Sequence, residues 1–445
     1  MATIEAPAPP VVRHGVEDVL RAGGLSPFHR RAVLVTGAAW TFVAMEILLV
    51  GFTLPIFIEL WGLSGALAGL VGSAALAGSL VGSLALGLGA DRIGRRRVFI
   101  GSILWYALFT GLTALAVGPA SILALRFLAG VGLGGMLVVD PSLLAEYLPP
   151  QRRGRLMVLL DFFWPVGLLL AVGLSWIFLD QLGGQWRWLY LAAALPALLA
   201  FVARLSLPES PYYLARMGRR REAAEVLTKI TGLAVDPESL DTPPTEPRSS
   251  FRELATPELR RTSLLVIGVW AALNISYYGL FLWLPTVLAG SSFQLDVYVL
   301  LALIAVAQFP GYAAALWLVE AWGRKRTLAS FLLLGGLSAF AFAAAETTAV
   351  YVGALFFVGF FNLGAWGAVY PYTSELFPTR LRATAFGMAE GVGKGFAIAG
   401  PYLFGALLEA TGDTFWSLTL VACVMAAGAL VAVTLGRETR GEQLV

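Results

Sequence analysis

The chain has 445 residues, 58% of them hydrophobic and only 13% charged, with a mean hydropathy of +0.77 and a formal net charge of +3. A soluble domain carries roughly 25% charged residues, so folding in water would leave too little polar surface, and the composition is that of an integral membrane protein. Apolar segments of about 20 residues recur, the length at which a helix crosses a bilayer; barrel strands would be about ten residues long and alternate in polarity, so the fold class is all-α.

The only cysteine, Cys423, excludes an internal disulfide and a cysteine-based metal site. Both histidines, His14 and His29, precede the first span, so proton chemistry within the membrane must use carboxylates. Residues 1–31 are polar, Pro-containing and basic and lack the charged start and apolar stretch of a signal peptide; they are expected to form a disordered cytoplasmic tail. Twelve spans follow, at about 32–58, 64–89, 97–117, 120–148, 156–179, 187–206, 262–289, 294–318, 327–345, 348–374, 384–408 and 414–436. A central loop, 207–261, separates a six-span half (32–206) from a second (262–436), and 437–445 is a short tail. Within the loop, "PESPYYLARMGRRREAAEVLTKI" places Tyr213, Leu214, Met217, Ala224 and Leu227 on one face of a short amphipathic helix suited to a membrane surface, before a flexible linker, "DPESLDTPPTEPRSS".

The connections fall into two alternating sets. One set, with both tails, holds 28 of the 31 Lys and Arg; the other holds only Arg187, and Arg126 and Lys394 lie within spans. The positive-inside bias therefore makes the first set cytoplasmic, with both termini inside a cell (inner) membrane. Basic residues in short clusters between spans give no surface for nucleic acid, and a monomer in the bilayer is expected.

The charged connections repeat. "GADRIGRRR" matches "LVEAWGRKR", aligning Asp91 with Glu320 and Arg95 with Arg324; "AEYLPPQRRGR" matches "SELFPTRLRA", aligning Glu146 with Glu375 and Arg153 with Arg382; Asp161 falls on Glu390. All of these are offset by 229 residues. Two related six-span halves are a hallmark of secondary transporters, whose solute site lies between them near the midplane. The matched acids and arginines suggest a cytoplasmic latch: Asp91, Arg95, Glu146, Arg153, Glu320, Arg324, Glu375 and Arg382 would pair across the halves in the outward-open state and separate in the inward-open one.

An ionisable group in mid-bilayer costs about 3 kcal/mol, so each needs a reason. Glu46, near the middle of span one, is either a proton carrier or a structural carboxyl bonded to a neighbouring helix. Asp140, followed by Pro141, is a second titrating group or a partner for a loop arginine. Lys394 could hold a solute carboxylate or pair with Glu390 one turn away. Asp161 and Glu390, about two turns from the cytoplasmic end, are read as gate groups. In spans seven and ten, Asn274, Tyr277, Tyr278, Asn362, Trp366 and Tyr370 offer flat faces and hydrogen bonds, with Trp40 and Trp164 joining from the first half; such a lining suits a small planar solute. No nucleophile–histidine set, metal-ligand set or ATP-binding loop is present, so neither an enzyme nor a cofactor is expected.

"GADRIGRR" between spans two and three resembles the signature of the major facilitator superfamily, and "PESPYYL" and "ETRGEQL" resemble signatures of its sugar-porter and organic-ion branches. "WTFVAMEILL", "FWPVG", "SYYGLFLWLP", "QFPGYAAALWLVEAWGRKRT" and "YPYTSELFPTRLRATAFG" are similar to the group holding synaptic vesicle glycoprotein 2, its relative SVOP and bacterial niacin-type transporters. The resemblance covers essentially the whole chain. It implies two six-helix bundles, alternating access and proton coupling, with Arg126 the partner of the span-one acid. Relatives often carry an acid at the position of Val43, which places the weight here on Glu46. The solute expected is an aromatic or carboxylated metabolite taken up with protons; a sugar or polyol porter and a proton-driven exporter are the alternatives, and a non-transporting receptor on the same scaffold is remote.

Overall fold

A computed structural model describes residues 15–241 and 250–440. His14 and most of the expected linker lie outside the described residues. Ahead of the first span, α1 (Val16–Gly23) buries Val16, Val19 and Leu20. The first half then comprises α2 (Pro27–Trp61), α3 (Gly65–Ile93), α4 (Arg95–Thr113) and α5 (Pro119–Tyr147). Its fifth span joins α6 (Pro150–Asp161) and α7 (Phe163–Ser175) to a π-helical turn, Trp176–Gln181. Its sixth is α8 (Trp186–Ala193) and α9 (Ala197–Ser206), broken at Pro196. The loop carries α10 (Pro211–Arg216) and α11 (Arg220–Thr231). The second half comprises α12 (Pro257–Ala289), α13 (Val297–Ala321), α14 (Arg324–Ala343), α15 (Thr348–Leu376), α16 (Arg382–Thr411) and α17 (Thr414–Leu435).

Ten of the described helical segments are long and apolar enough to cross a membrane. The arginine-headed α4 and the broken α8–α9 pair complete twelve. Helices apolar on every face bury only one side against protein, and the rest faces lipid; Leu84, Leu88, Leu198, Leu205 and Trp317 are exposed on this outer surface.

Two expectations are corrected. Residues 15–31 are not an irregular tail. Ser26 begins α2 five residues early: its amide donates to His29 Nδ1 at 2.9 Å, its hydroxyl donates to the Ile230 carbonyl at 2.6 Å, and the other His29 ring nitrogen lies 3.1 Å from the Tyr147 carbonyl. The single amphipathic helix of the loop is two helices, because Gly218 turns the chain at φ +73°. Tyr213, Leu214, Ala224 and Leu227 are buried, but Met217, at the break, is exposed. Both helices pack on protein, α10 against α5 and α11 against α1 and α2.

The twofold repeat extends into packing. A Cβ at Gly82 of α3 would overlap the Val131 carbonyl of α5, and one at Gly311 of α13 would overlap the Phe360 carbonyl of α15. Both glycines and both carbonyls are related by the 229-residue offset. The same backbone-to-backbone approach therefore builds each half.

Between halves, α3 meets α16, α2 meets α12 and α7 meets α13. On the arginine-poor face this contact is tight. A Cβ at Gly65 would strike the Gly405 carbonyl, and one at Gly405 would strike the Gly65 carbonyl. Nearby, the Ser73 hydroxyl donates to the Ile398 carbonyl at 2.6 Å and the Ala66 amide to Glu409 Oε2 at 2.9 Å. Gly405→Val should hold this seal open. In a Cys423→Ser background, a cysteine placed at Ser73 should react several-fold faster with an impermeant maleimide when Gly405→Val is added; unchanged labelling would show that the seal does not depend on the glycine contact.

Candidate functional site: a central cavity and its charged surroundings

A cavity of about 760 Å³ of empty space, counted to its mouth, lies between the halves. Trp40, Trp164, Asn274, Tyr277, Tyr278, Trp366, Tyr370 and Lys394 all line it. The aromatic rings form a connected wall: Trp40 meets Trp164 edge-on at 6.0 Å, Trp164 meets Tyr277 at 6.1 Å and Tyr277 meets Trp366 at 6.5 Å. The Trp164 indole donates to the Tyr277 hydroxyl at 2.5 Å, which joins the two halves. Asn362 is the exception among the expected ligands. It is fully buried inside the second half, where its amide faces the Ser276 hydroxyl at 3.4 Å and the Met425 sulfur at 3.8 Å. One turn away on α15, Trp366 turns to the cavity instead.

Asp161 and Glu390, read from sequence as gate groups, are also in the cavity wall. The Tyr312 hydroxyl of α13 donates to Asp161 Oδ2 at 2.7 Å, a second bond across the halves within the cavity wall. Tyr312 was not singled out from the sequence, because a lone tyrosine in an apolar helix reads as packing. Lys394 and Glu390, one turn apart on α16, act on each other electrostatically. Lys394 nevertheless has no ion-pair or hydrogen-bond partner among the described residues, so the pairing with Glu390 is not made.

Outside the cavity lining, Glu46 and Arg126 form an ion pair with no exposed surface on either side chain. Thr110 donates to Glu46 Oε1 at 2.7 Å, and Arg126 also donates to the Glu46 backbone carbonyl at 3.0 Å. The guanidinium stacks over Tyr190 at 5.5 Å, whose hydroxyl lies 3.0 Å from that of Thr53. Asp140 is apart from this pair and fully buried, and both of its carboxylate oxygens lack a protein partner. Among the described residues it therefore serves no loop arginine.

On the basic face the charges form two equivalent nodes. In the first half Arg95 pairs with Glu146 and with Asp91 at 3.4 Å, and Arg216 reaches Asp91 at 3.3 Å. In the second half Arg324 pairs with Glu375 and with Glu320, each at 2.9 Å. Each of these pairs joins residues of one half and its own loop; with the arginine-poor face sealed, the pairing across halves expected for the opposite, outward-open state is not made among them. Arg153 donates to the Leu148 carbonyl at 3.3 Å and Arg382 to the Ser374 carbonyl at 2.7 Å.

Each node is closed by a glutamate that the sequence marked only as part of a signature. Glu209 of "PESPYYL" accepts the Arg96 amide at 2.9 Å, and Glu438 of "ETRGEQL" accepts the Arg324 amide at 2.7 Å. Ser210 donates to Glu146, and Thr439 donates to Glu375 at 2.6 Å. Gly94 (φ +105°) and Gly323 (φ +111°) must be glycine, since a Cβ at either would also meet the Glu209 or Glu438 carboxylate. The 229-residue offset relates Glu209 to Glu438 and Ser210 to Thr439, a signal present in the sequence. Where the linker rejoins α12, Arg380 pairs with Glu253 and, with the Ser250 amide, holds that carboxyl below its ordinary range.

Twelve helices in two related halves, sealed on one face around a polar and aromatic cavity, define a secondary transporter of the major facilitator fold. The chain belongs to the sugar (and other) transporter family, whose model matches residues 29–445. The niacin transporter NiaP of Acinetobacter baylyi is 37% identical over 428 residues, covering 94% of this chain and 96% of that protein. The synaptic vesicle 2-related protein of Xenopus laevis is 30% identical over 455 residues, covering 96% of this chain and 82% of its own. In fold, the chain matches the xylose transporter XylE of E. coli in a partially occluded inward open conformation, with a TM-score of 0.77 at 20% identity over 94% of this chain and 100% of that one.

Glu438→Gln removes the charge that holds the Arg324 amide. It should cost about 1–2 kcal/mol, read as a lower thermal midpoint in detergent. Glu209→Gln should cost a similar amount, because the nodes are equivalent.

Proposed function

We propose that the chain imports a small aromatic carboxylate of the nicotinate type together with protons, with its basic face cytoplasmic. The observation that carries this reading is Lys394: a buried ammonium without an ion-pair partner, in a cavity walled by aromatic rings. A charge offset only at a distance, by Glu390 one turn away, is costly in a partly desolvated site. A solute carboxylate compensates it, and a planar ring has the aromatic wall of Trp164, Tyr277 and Trp366 to lie against. The name of the Acinetobacter relative supports the same solute class.

Proton coupling rests on Glu46 and Arg126. Protonating Glu46 leaves Arg126 a buried cation without its counterion, worth several kcal/mol, so the local helices must move to relieve it. Helix α2 carries both Glu46 and Trp40 of the cavity wall, and so links proton loading to the solute site.

Purified protein in proteoliposomes should accumulate labelled nicotinate under an inward proton gradient, and a protonophore should abolish accumulation. Stronger competition by D-xylose than by nicotinate would favour the sugar-porter reading instead. Glu46→Gln should lose gradient-driven accumulation yet keep nicotinate counterflow; accumulation at the wild-type level would remove Glu46 from the coupling step. Lys394→Met should weaken nicotinate binding about tenfold or more, about 1.4 kcal/mol, while nicotinamide, which lacks the charge, shifts little.

A further inference from the structure

Helix α4 carries hydroxyls at Ser102, Tyr106 and Thr110, one turn apart and therefore on one face. All three are buried. The backbone of α5 is drawn against this stripe at two glycines: a Cβ at Gly132 would lie 2.6 Å from the Tyr106 amide nitrogen, and one at Gly135 would overlap the Ser102 hydroxyl. At one end of the stripe, Thr110 donates to Glu46. Toward the other end lies Asp140, six residues, or about 9 Å along α5, before Glu146 of the basic-face node. Tyr106 is within electrostatic reach of both Glu46 and Asp140.

The polar atoms along this seam lack protein partners. The Ser102 and Tyr106 hydroxyls, both oxygens of Asp140 and Oε2 of Glu46 are all buried and unbonded to protein. A buried unsatisfied group costs about 1–3 kcal/mol, so five such atoms on one seam are a poor choice for packing alone. Nor is the stripe inherited from the repeat. At the 229-residue offset, Ser102, Tyr106 and Thr110 become Phe331, Gly335 and Ala339, while Glu46, Arg126 and Asp140 become Ile275, Leu355 and Val369. The polar seam exists only in the half that holds the ion pair. None of its residues lines the solute cavity.

We infer that Ser102, Tyr106 and Thr110 form a proton relay between Glu46 and Asp140, separate from the solute route. This rests on the coupling role of Glu46 above. The proton leaves the Glu46 carboxyl, each hydroxyl accepts one proton and passes on another, and the Asp140 carboxylate receives it for release on the basic side. No electrons move. The residues that carry these hydroxyls are about 6 Å apart along the helix axis, and bridging waters would complete the relay between them. The titratable and charged groups facing the seam are Glu46 from α2, Tyr106 from α4, Arg126 and Asp140 from α5, and Tyr190 from α8. Tyr190 is bonded to Thr53 and so is occupied elsewhere.

The test needs no solute. The full chain in lipid nanodiscs is stepped from about pH 8 to about pH 5, and time-resolved infrared spectroscopy follows the carboxyl bands. Glu46→Gln and Asp140→Asn assign the two bands. Tyr106→Phe should slow the appearance of the protonated Glu46 band about tenfold or more and leave the Asp140 band at its wild-type rate. Ser102→Ala, a milder change, should slow it in the same direction. A Glu46 band that forms at the wild-type rate in Tyr106→Phe, Ser102→Ala and Asp140→Asn overturns the relay but not the coupling role. A Glu46 carboxyl that never changes protonation over this range overturns both.

Discussion

A charge carried into an apolar layer must find its compensation inside the protein, because lipid supplies none. The helices of this chain carry few such charges, and the structure treats each differently. Glu46 and Arg126 are paired with each other. Asp161 is bonded by Tyr312 from the opposite half. Lys394 and Asp140 are left without a bonded partner, one in the cavity and one behind its wall. The fold disposes twelve helices so that satisfied charges hold it together and unsatisfied ones stand where something can arrive.

The repeat divides structural from functional positions. Most of what obeys the 229-residue offset builds the scaffold: Gly82 and Gly311 at the helix contacts, Arg95 and Arg324, Glu146 and Glu375, Glu209 and Glu438 at the basic face; Asp161 and Glu390 obey it too, but stand in the cavity wall. Whatever breaks it distinguishes the halves. Glu46 and Arg126 align with Ile275 and Leu355, and Lys394 aligns with Pro165. The proposed proton site thus belongs to one half and the proposed anion contact to the other. Two halves identical in charge would have no reason to treat proton and solute separately.

Helix number and order were legible because a bilayer demands about 20 apolar residues per crossing, and that demand is written in composition. The cavity lining was legible where aromatic and amide groups interrupt aliphatic spans, as at Asn274 and Tyr277. Its failures have physical causes. A helix apolar all round carries no phase, so Asn362 could not be told from Trp366 by pattern; only the rotation of α15 separates them. Asp161 was placed too shallow because α6 begins at Pro150, which sets the acid about 16 Å into the span. The early start of α2 depends on Ser26 and His29 reaching Ile230 and Tyr147, contacts distant in sequence. Glu209 and Glu438 stand in the central loop and the C-terminal tail, in two segments that read as separate signatures although the 229-residue offset relates them.

The two proposed loads act on opposite deficits. Arg126 has its anion in the unprotonated protein and loses it when Glu46 is neutralised; Lys394 has no bonded anion among the described residues, only Glu390 acting on it from one turn away, and gains one when a carboxylate binds. Taken alone, the proton creates an unpaired buried cation and the solute removes one. Taken together, they leave the number of unpaired buried cations unchanged while moving the deficit from the second half to the first. Rocking between states requires that neither half be pinned by a cost the other cannot offset. The cation balance therefore favours movement with both loads over movement with the proton alone, which is the condition for coupling rather than leak.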